Sequence, residues 1–397
     1  MSHSSVFKDE TKLDINYIPS ELMHRKAQAE LLAQYFRYTM EAPGKMTQRV
    51  IITGNVGTGK TVLAQHFGRD IVREAQQRNI NLHYVHVNCR QNKGSLFLIL
   101  QNIVTCFLPT YPRRGYSAEE LLQTLMQILD EKNVYTIVAL DELEALIQNE
   151  GPEPLYKLSR IDETRHKAPM RLSLICILRE LRWLDKLDAS TRSTLQNNII
   201  QLGAYTQSQL KDILNNRASQ AFRQNTMPDE TITLAAELGE EEGGNARYSI
   251  ELLWRAGKHA DAEGTRAVQP EHVRKAVGNV YAEVRRDEVT ALPLHKQLLL
   301  LGVARRFQQS GDIHISMGEA EEAYNVACEE FGEKPRGHTQ LWKYVQELST
   351  LGVIKTEPST NGQRGKTTLI GLPRIAASDL ETELSKTIES MRKGRVI

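Results

Sequence analysis

An excess of charge of either sign is missing from this chain: 50 lysines and arginines stand against 49 aspartates and glutamates in 397 residues, a net charge of +1. That balance argues against a histone-like or arm-like polycation, so any nucleic-acid surface has to be local. Cysteine is scarce as well. Cys89, Cys106, Cys176 and Cys328 are scattered through apolar or mixed segments with no C-x-x-C spacing, which disfavours a zinc site or a disulfide framework and predicts reduced, partly buried thiols. No apolar run approaches the roughly 18 residues that a membrane helix needs. The first apolar-periodic segment begins near Leu13 after a polar start, which is not the pattern of a signal peptide, so the expectation is a soluble, cytoplasmic protein with no membrane partner. The strong Lys/Glu enrichment of hyperthermophiles is also absent, which favours a moderate growth temperature.

What is present is ordinary globular sequence, 40% hydrophobic and 25% charged, with length for two or three domains at about 150 residues each. Leucines and alanines recur at helical spacing from Ser20 to Tyr38, with Ser20 placed to cap. Val50-Ile51-Ile52-Thr53 is a β-branched run that enters a glycine-rich turn and then a helix from about Thr61 to Gln76. Tyr84–Val87, Thr136–Leu140 and Leu172–Leu178 are further short apolar runs separated by helical stretches. Strands alternating with helices predict a parallel sheet covered on both faces. After about Gly203 the strand signals stop and the pattern to Val280 is helical. From about Leu292 come three helical segments, then Val353-Ile354-Lys355 and Thr367–Ile370 around an Asn-Gly-containing loop, the pattern of a β-hairpin. The chain therefore divides into 1–204, an α/β domain; 205–285, an all-helical domain; and 286–397, with the helices and hairpin of a C-terminal winged helix, Glu283–Glu288 being the hinge before the last.

Gly54-Asn55-Val56-Gly57-Thr58-Gly59-Lys60-Thr61, followed by Val62, fits G-x-x-x-x-G-K-[ST] in the strand-to-helix setting that the motif requires. Its spacing has a physical cause. The glycines let backbone N–H groups wrap phosphate oxygens, the helix N-terminus favours negative charge, Lys60 reaches the terminal phosphates, and the Thr61 hydroxyl can ligate Mg2+. Asp141 and Glu142 follow an apolar strand directly, as a Walker B pair does: the first carboxylate holds the metal shell with Thr61, and the second orients or deprotonates water. ATP, or ADP retained after a single hydrolysis, with Mg2+ is the expected ligand set.

Together these residues resemble the archaeal replication initiators, the AAA+ P-loop family related to the largest origin-recognition subunit and the cell-division-cycle helicase loader. Tyr17-Ile18-Pro19 and His24-Arg25 are similar to the segment that lines the adenine pocket in that family. Val87-Asn88-Cys89-Arg90 resembles its second-strand motif, and Asp141 to Leu146 its extended Walker B. Gly244-Asn245-Ala246-Arg247-Tyr248 resembles its sensor 2, which implies that Arg247 contacts a phosphate and couples nucleotide state to the lid. Two positions depart from the family pattern. Arg179 stands where the resemblance calls for the sensor 1 asparagine, and Ser190 where it calls for an arginine after leucine-aspartate-proline; Arg192, two residues on, is the available substitute for that finger. An arginine finger contributes several orders of magnitude to phosphoryl transfer, so the expectation is a nucleotide switch with slow ATP hydrolysis at most.

Two segments face DNA in this reading. The stretch Thr339 to Leu351 puts Leu341, Tyr344 or Val345, Leu348 and Leu351 on one face, leaving His338, Thr339, Lys343 and Gln346 outward, so that the helix can lie in a major groove with Arg336, His338 and Gln340 near its N-terminus approaching bases or phosphates. Arg364 and Lys366 at the hairpin tip suit phosphates or the minor groove. Arg113 and Arg114, between two helices of the sheet domain, resemble the end of the family's duplex-touching insertion. The resemblance implies an origin-binding initiator whose partners are duplex origin repeats, the replicative helicase and paralogous initiator subunits. An accessory or signalling P-loop ATPase with a DNA- or protein-binding winged helix, and a paralogue turned transcriptional or plasmid-maintenance regulator, are the alternatives.

Overall fold

A computed structural model describes residues 5–112, 115–161, 165, 168–195, 198–277, 289, 292–310, 312–351, 353–358, 368–372 and 376–394. They form two compact units, Ile18–Gln209 with Gly243–Ala246, and Met1–Tyr17 with Leu210–Glu242 and Arg247–Ile397.

The first unit begins with α1 (Lys26–Glu41), β1 (Arg49–Thr53), α2 (Lys60–Gln77) and β2 (Leu82–Asn88), and continues through α3 (Leu96–Phe107), α4 (Ala118–Glu131) and β3 (Tyr135–Asp141). Then come α5 (Glu144–Glu150), α6 (Glu153–Ser159), β4 (Leu172–Leu178), α7 (Ala189–Leu195) and β5 (Ile199–Gln201). All strands pair in parallel in the order β2-β3-β4-β1-β5. The four expected strands are present. The fifth, β5, is only three residues long and carries too few residues to show a period.

Alternation along each strand sends side chains to two helical layers. Val50, Ile52, Ile137, Ala139, Ile175 and Ile177 pack with Leu32 and Phe36 of α1 and Leu63, Phe67 and Ile71 of α2. Ile51, Val138, Leu140, Leu174 and Leu178 face Ile99, Ile103, Leu121 and Leu125 of α3 and α4 on the other side. Because both faces are covered, the central strands are mostly apolar, with residues 50–52, 137–140 and 174–178 buried. Burial pushes the Cys89 thiol up, and it pushes that of Cys176 to about 12, which makes both unreactive.

Helix α1 starts later than the periodicity suggests. His24 adopts a φ of 59°, outside the right-handed helical region, and Arg25 rather than Ser20 precedes the first turn. Ser20 keeps its carbonyl for the ring of His66, 3.0 Å away.

In the second unit, α8 (Gln207–Ala221), α9 (Asp229–Glu241), α10 (Ala246–Glu263) and α11, described over residues 270–277, form the helical part. The C-terminal part is α12 (Leu294–Ser310), β6 (His314–Ser316), α13 (Met317–Phe331), α14 (His338–Thr350), β7 (Lys355–Pro358), β8 (Thr368–Gly371) and α15 (Ala377–Gly394). Strands β7 and β8 are the expected antiparallel hairpin, and β6, unexpected and again three residues long, completes a sheet of order β6-β8-β7. Helices α12 to α14 and the three-stranded antiparallel sheet, followed by α15, make this region a winged helix.

The boundary expected after residue 204 is crossed at the front of the chain. Residues up to Tyr17 pack in the second unit: Phe7 stacks on Phe222 at 4.8 Å, Lys8 and Asp9 both donate backbone N–H groups to the Ala221 carbonyl, and Val6 donates to Asp261. The helical and winged-helix parts are also fastened to each other. Arg274, 1% exposed, reaches out of α11 to donate to the carbonyls of Leu372 (2.9 Å) and Asp312 (3.0 Å), with its guanidinium 4.7 Å from the Phe307 ring centroid. Lys355 of β7 contacts Glu237 and Glu241 of α9 at 2.6 and 3.0 Å. The expected hinge, Glu283–Glu288, lies outside the described residues. Among the described residues no helix is long and apolar enough to cross a membrane.

Candidate functional site

The P-loop leaves the carboxyl end of β1 through three glycines at positive φ, Gly54 at 151°, Gly57 at 77° and Gly59 at 93°. At Gly57 a Cβ would meet the Asn245 amide oxygen at 1.8 Å, so the loop needs glycine for packing as well as for conformation. Asn55 and Val56 are exposed at the tip, whereas Thr58 is buried, its hydroxyl donating to the Asn55 carbonyl at 2.8 Å. The Lys60 ammonium folds onto the carbonyls of Gly54 and Asn55, at 2.6 and 2.8 Å. Both carbonyls belong to the same glycine-rich loop.

The Walker B side meets it directly. Thr61 donates its hydroxyl to Asp141 at 2.7 Å, and Asp141, 5% exposed, also accepts from the Glu142 backbone N–H and contacts the His86 ring at 3.2 Å. Burial works against the charged form of Asp141, but the hydrogen bonds from His86 and Thr61 outweigh it and hold the carboxyl below its ordinary range. A hydroxyl and an ionised carboxylate side by side, at the head of a phosphate-wrapping loop, fit a hydrated Mg2+ bound with a nucleotide. Val62 follows on the first turn of α2, half-buried.

Glu142 adopts a φ of 50°, a left-handed conformation uncommon for a residue with a side chain. Its carboxylate accepts from Arg179 at 3.2 Å, and the same guanidinium lies 3.3 Å from Glu144.

Arg25 packs against the P-loop. It is 5% exposed, donates to the carbonyls of Thr58 (3.1 Å) and Gly203 (2.6 Å), and lies 3.9 Å from the Tyr205 ring centroid. Its donors brace the P-loop, because a buried guanidinium has to satisfy its N–H groups on backbone oxygens. Of its neighbours, Ile18 and Pro19 are half-buried and His24 is exposed, the Pro19 carbonyl accepting from Arg69 at 3.3 Å. Tyr17 belongs to the other unit, its ring between Lys12 and Arg217 and its hydroxyl donating to Gln220 at 3.0 Å.

Arg247, exposed in the first turn of α10, is also in that unit. The loop before it is tied to the P-loop, with Ala246 N–H donating to the Gly57 carbonyl at 3.2 Å. Arg192 is engaged on its own loop, donating to the carbonyls of Leu184 (3.1 Å), Asp185 (3.0 Å) and Leu187 (3.3 Å). That engagement weighs against an outward-reaching finger. Ser190, at the departed position, accepts from Arg160.

Two residues escaped the sequence reading. His86 joins Asp141 to the Tyr84 hydroxyl, and Tyr205 packs against Arg25, Gly59 and Gly244. A histidine on alternate strand positions and a tyrosine past a three-residue strand carry no local signal.

On α14, Leu341, Val345 and Leu348 are buried, while His338, Thr339, Gln340 and Lys343 are exposed together with Trp342. Leu351, expected inward, is 51% exposed, because it caps the helix after its last turn. Arg336 is exposed before the helix, and the His338 ring contacts Glu321 at 2.7 Å. Arg113, Arg114, Arg364 and Lys366 lie outside the described residues.

Residues 45–182 match an AAA domain, 211–278 the Cdc6 AAA+ ATPase-type lid domain, and 287–381 the C-terminal winged-helix domain of CDC6. The chain is 34% identical over 392 residues to ORC1-type DNA replication protein 2 of Sulfurisphaera tokodaii, covering 97% of this chain and 94% of that protein. Its counterpart in Sulfolobus acidocaldarius is 35% identical over 399 residues, with 98% and 96% covered. Among solved structures, Cdc6p from Pyrobaculum aerophilum superposes with a TM-score of 0.82 at 28% identity, covering 98% of this chain and all of that one. The Aeropyrum pernix ORC1 protein in complex with DNA superposes with a TM-score of 0.64 at 26% identity, with 99% and 100% covered.

Proposed function

Because the chain belongs to the ORC1-type DNA replication protein family, archaeal ORC1/Cdc6 initiators with an AAA domain, a Cdc6-type lid and a winged helix, we propose that it is an ATP-dependent initiator of DNA replication. It binds duplex origin DNA and helps recruit the replicative helicase, alone or beside paralogous initiator subunits. Nucleotide acts as a switch with slow hydrolysis.

The observation that carries this reading is the Thr61–Asp141 contact at 2.7 Å, which forms a metal-ready nucleotide site on the same chain as a winged helix whose α14 exposes polar side chains. Lys60, Thr61 and Asp141 would hold the nucleotide phosphates and Mg2+, and Arg247 would report the terminal phosphate to the lid. Bound Mg2+ neutralises charge developing on the phosphates. Glu142 accepts the proton of the attacking water. On the DNA side, Gln340 and His338 would approach base edges and Arg336 and Lys343 phosphates; Arg113, Arg114, Arg364 and Lys366 remain part of the proposal as phosphate contacts.

The test is selection of genomic fragments by the full chain with ATP or ADP across a salt series, repeated with His338→Ala/Gln340→Ala. Enrichment of a discrete repeated site by the full chain, with preference relaxed in the variant, is expected. A steep salt dependence without sequence preference, accompanied by ATP-driven assembly, would instead favour the accessory-ATPase reading.

A further inference from the structure

Arg179 departs from the family pattern, and the fold dictates where the departure lands. Strand β4 lies between β3 and β1 in the sheet, so the residue after β4 sits between the Walker B strand and the P-loop strand. Its backbone is pinned there, the carbonyl accepting from Gly54 N–H at 3.3 Å and from the Thr53 hydroxyl at 3.2 Å. The side chain then spans two carboxylates, Nη2 donating to Glu142 at 3.2 Å and Nε lying 3.3 Å from Glu144. Glu144 is 13% exposed and has the Arg179 guanidinium as its ionic partner. Burial pushes its carboxyl up, and Arg179 opposes that shift.

We propose that Arg179 is a positioning residue that locks Glu142: its guanidinium holds the carboxylate in an ion pair and withholds it from the attacking water until the pair opens. The proposal rests on the reading of Glu142 as the proton acceptor. In hydrolysis the water oxygen bonds to the terminal phosphorus, the bond to the bridging oxygen breaks, ADP leaves with that electron pair, and Glu142 takes the water proton. A carboxylate already engaged by a guanidinium is a poorer acceptor for that proton. Slow turnover is then a consequence of the Arg179 substitution itself, independent of any arginine finger.

The experiment uses the full chain with two readouts, single-turnover ATP hydrolysis and ADP retention with and without aluminium fluoride, which mimics the transferring phosphoryl group without turnover. Arg179→Asn is expected to speed hydrolysis about tenfold, to tighten ADP–aluminium fluoride by a similar factor, and to leave ADP alone unchanged. Glu142→Gln should remove both gains. Glu144→Gln frees the guanidinium for Glu142 alone, so it should slow hydrolysis, the opposite sign, and this arm decides the matter if Arg179→Asn does not fold. Arg179→Lys, able to pair with one carboxylate at a time, should fall between wild type and Arg179→Asn. If Arg179→Asn is equal to or slower than wild type while Glu142→Gln is inactive, or if Glu144→Gln is faster, the lock is refuted and the role of Glu142 stands. Full turnover by Glu142→Gln removes the proton-acceptor reading and the lock with it.

Discussion

The buried Arg274 offers a test of what fastens the helical part to the winged helix. Replacing it with methionine removes donors from the carbonyls of Leu372 and Asp312, each of which accepts a charge-assisted bond. Such bonds contribute about 1.5–3 kcal/mol each, and a buried acceptor left without a partner costs on the order of 1–3 kcal/mol. Against this, methionine no longer keeps a charge out of water, and Glu271, the ionic partner at 3.4 Å, is not stranded, since it also accepts from Ser378. The net expectation is a loss of about 2–3 kcal/mol, or a fall of roughly 5–10 °C in the melting midpoint of a unit this size. Lysine makes the sharper comparison. It retains the charge but lacks the fork, so it can serve one carbonyl while burying a strongly hydrated ammonium, and Arg274→Lys should be at least as destabilised as Arg274→Met. Differential scanning calorimetry, with nucleotide added to shift the sheet unit's own transition, reads the effect. A wild-type midpoint for Arg274→Lys would refute the reasoning, because it would show that charge rather than fork geometry holds this contact.

Arg25→Ala should release the braces on Thr58 and Gly203 and weaken ADP binding about tenfold while leaving its Mg2+ dependence intact, as equilibrium dialysis with and without chelator would report. Asp141→Asn should do the reverse, leaving ADP binding that chelator no longer weakens. Lys343→Ala should reduce the slope of log affinity against log salt for duplex DNA by about one, uniformly across sequences, which a fluorescence titration would measure. Glu319 is held down at about 2, against an ordinary 4.5, by the Ser316 backbone N–H and by Arg306. A depressed carboxyl contributes stability that is fully present above its unfolded value and is lost as pH falls through its folded value. The urea midpoint of the wild type should therefore drop between about pH 4.5 and 2 more steeply than that of Glu319→Gln.

The parts of the fold and site that were legible in the sequence are those with local causes. Phosphate has to meet consecutive N–H groups, so Gly54 to Thr61 is written as a contiguous motif, and a fully covered sheet writes Val50–Thr53 and Leu172–Leu178 as apolar runs. The short strands β5 and β6 were missed because they are defined by partners far away in the chain, Ile199 by Ile51 and Ile315 by Ile370. Arg25 was legible as a motif residue, but only the fold shows that its donors end on Thr58 and Gly203. Arg179 was visible as a departure, but nothing near it in sequence announces Glu142 and Glu144 as its partners. Arg274 resembled any helical arginine until Phe307 and two carbonyls were found around it.

The packing of Phe7 on Phe222 also constrains the order in which the chain is assembled during synthesis. Phe222 is added 215 residues after Phe7 (222 − 7), a delay of roughly 10–40 s at about 5–20 residues per second. The sheet unit is nearly continuous from Ile18 to Gln209, so most of its partners have been made before the lid begins. Residues 5–17 wait through that whole interval for a surface to bind. Their polar, unpatterned composition suits the wait, because it gives the nascent segment little apolar surface to bury wrongly before α8 arrives.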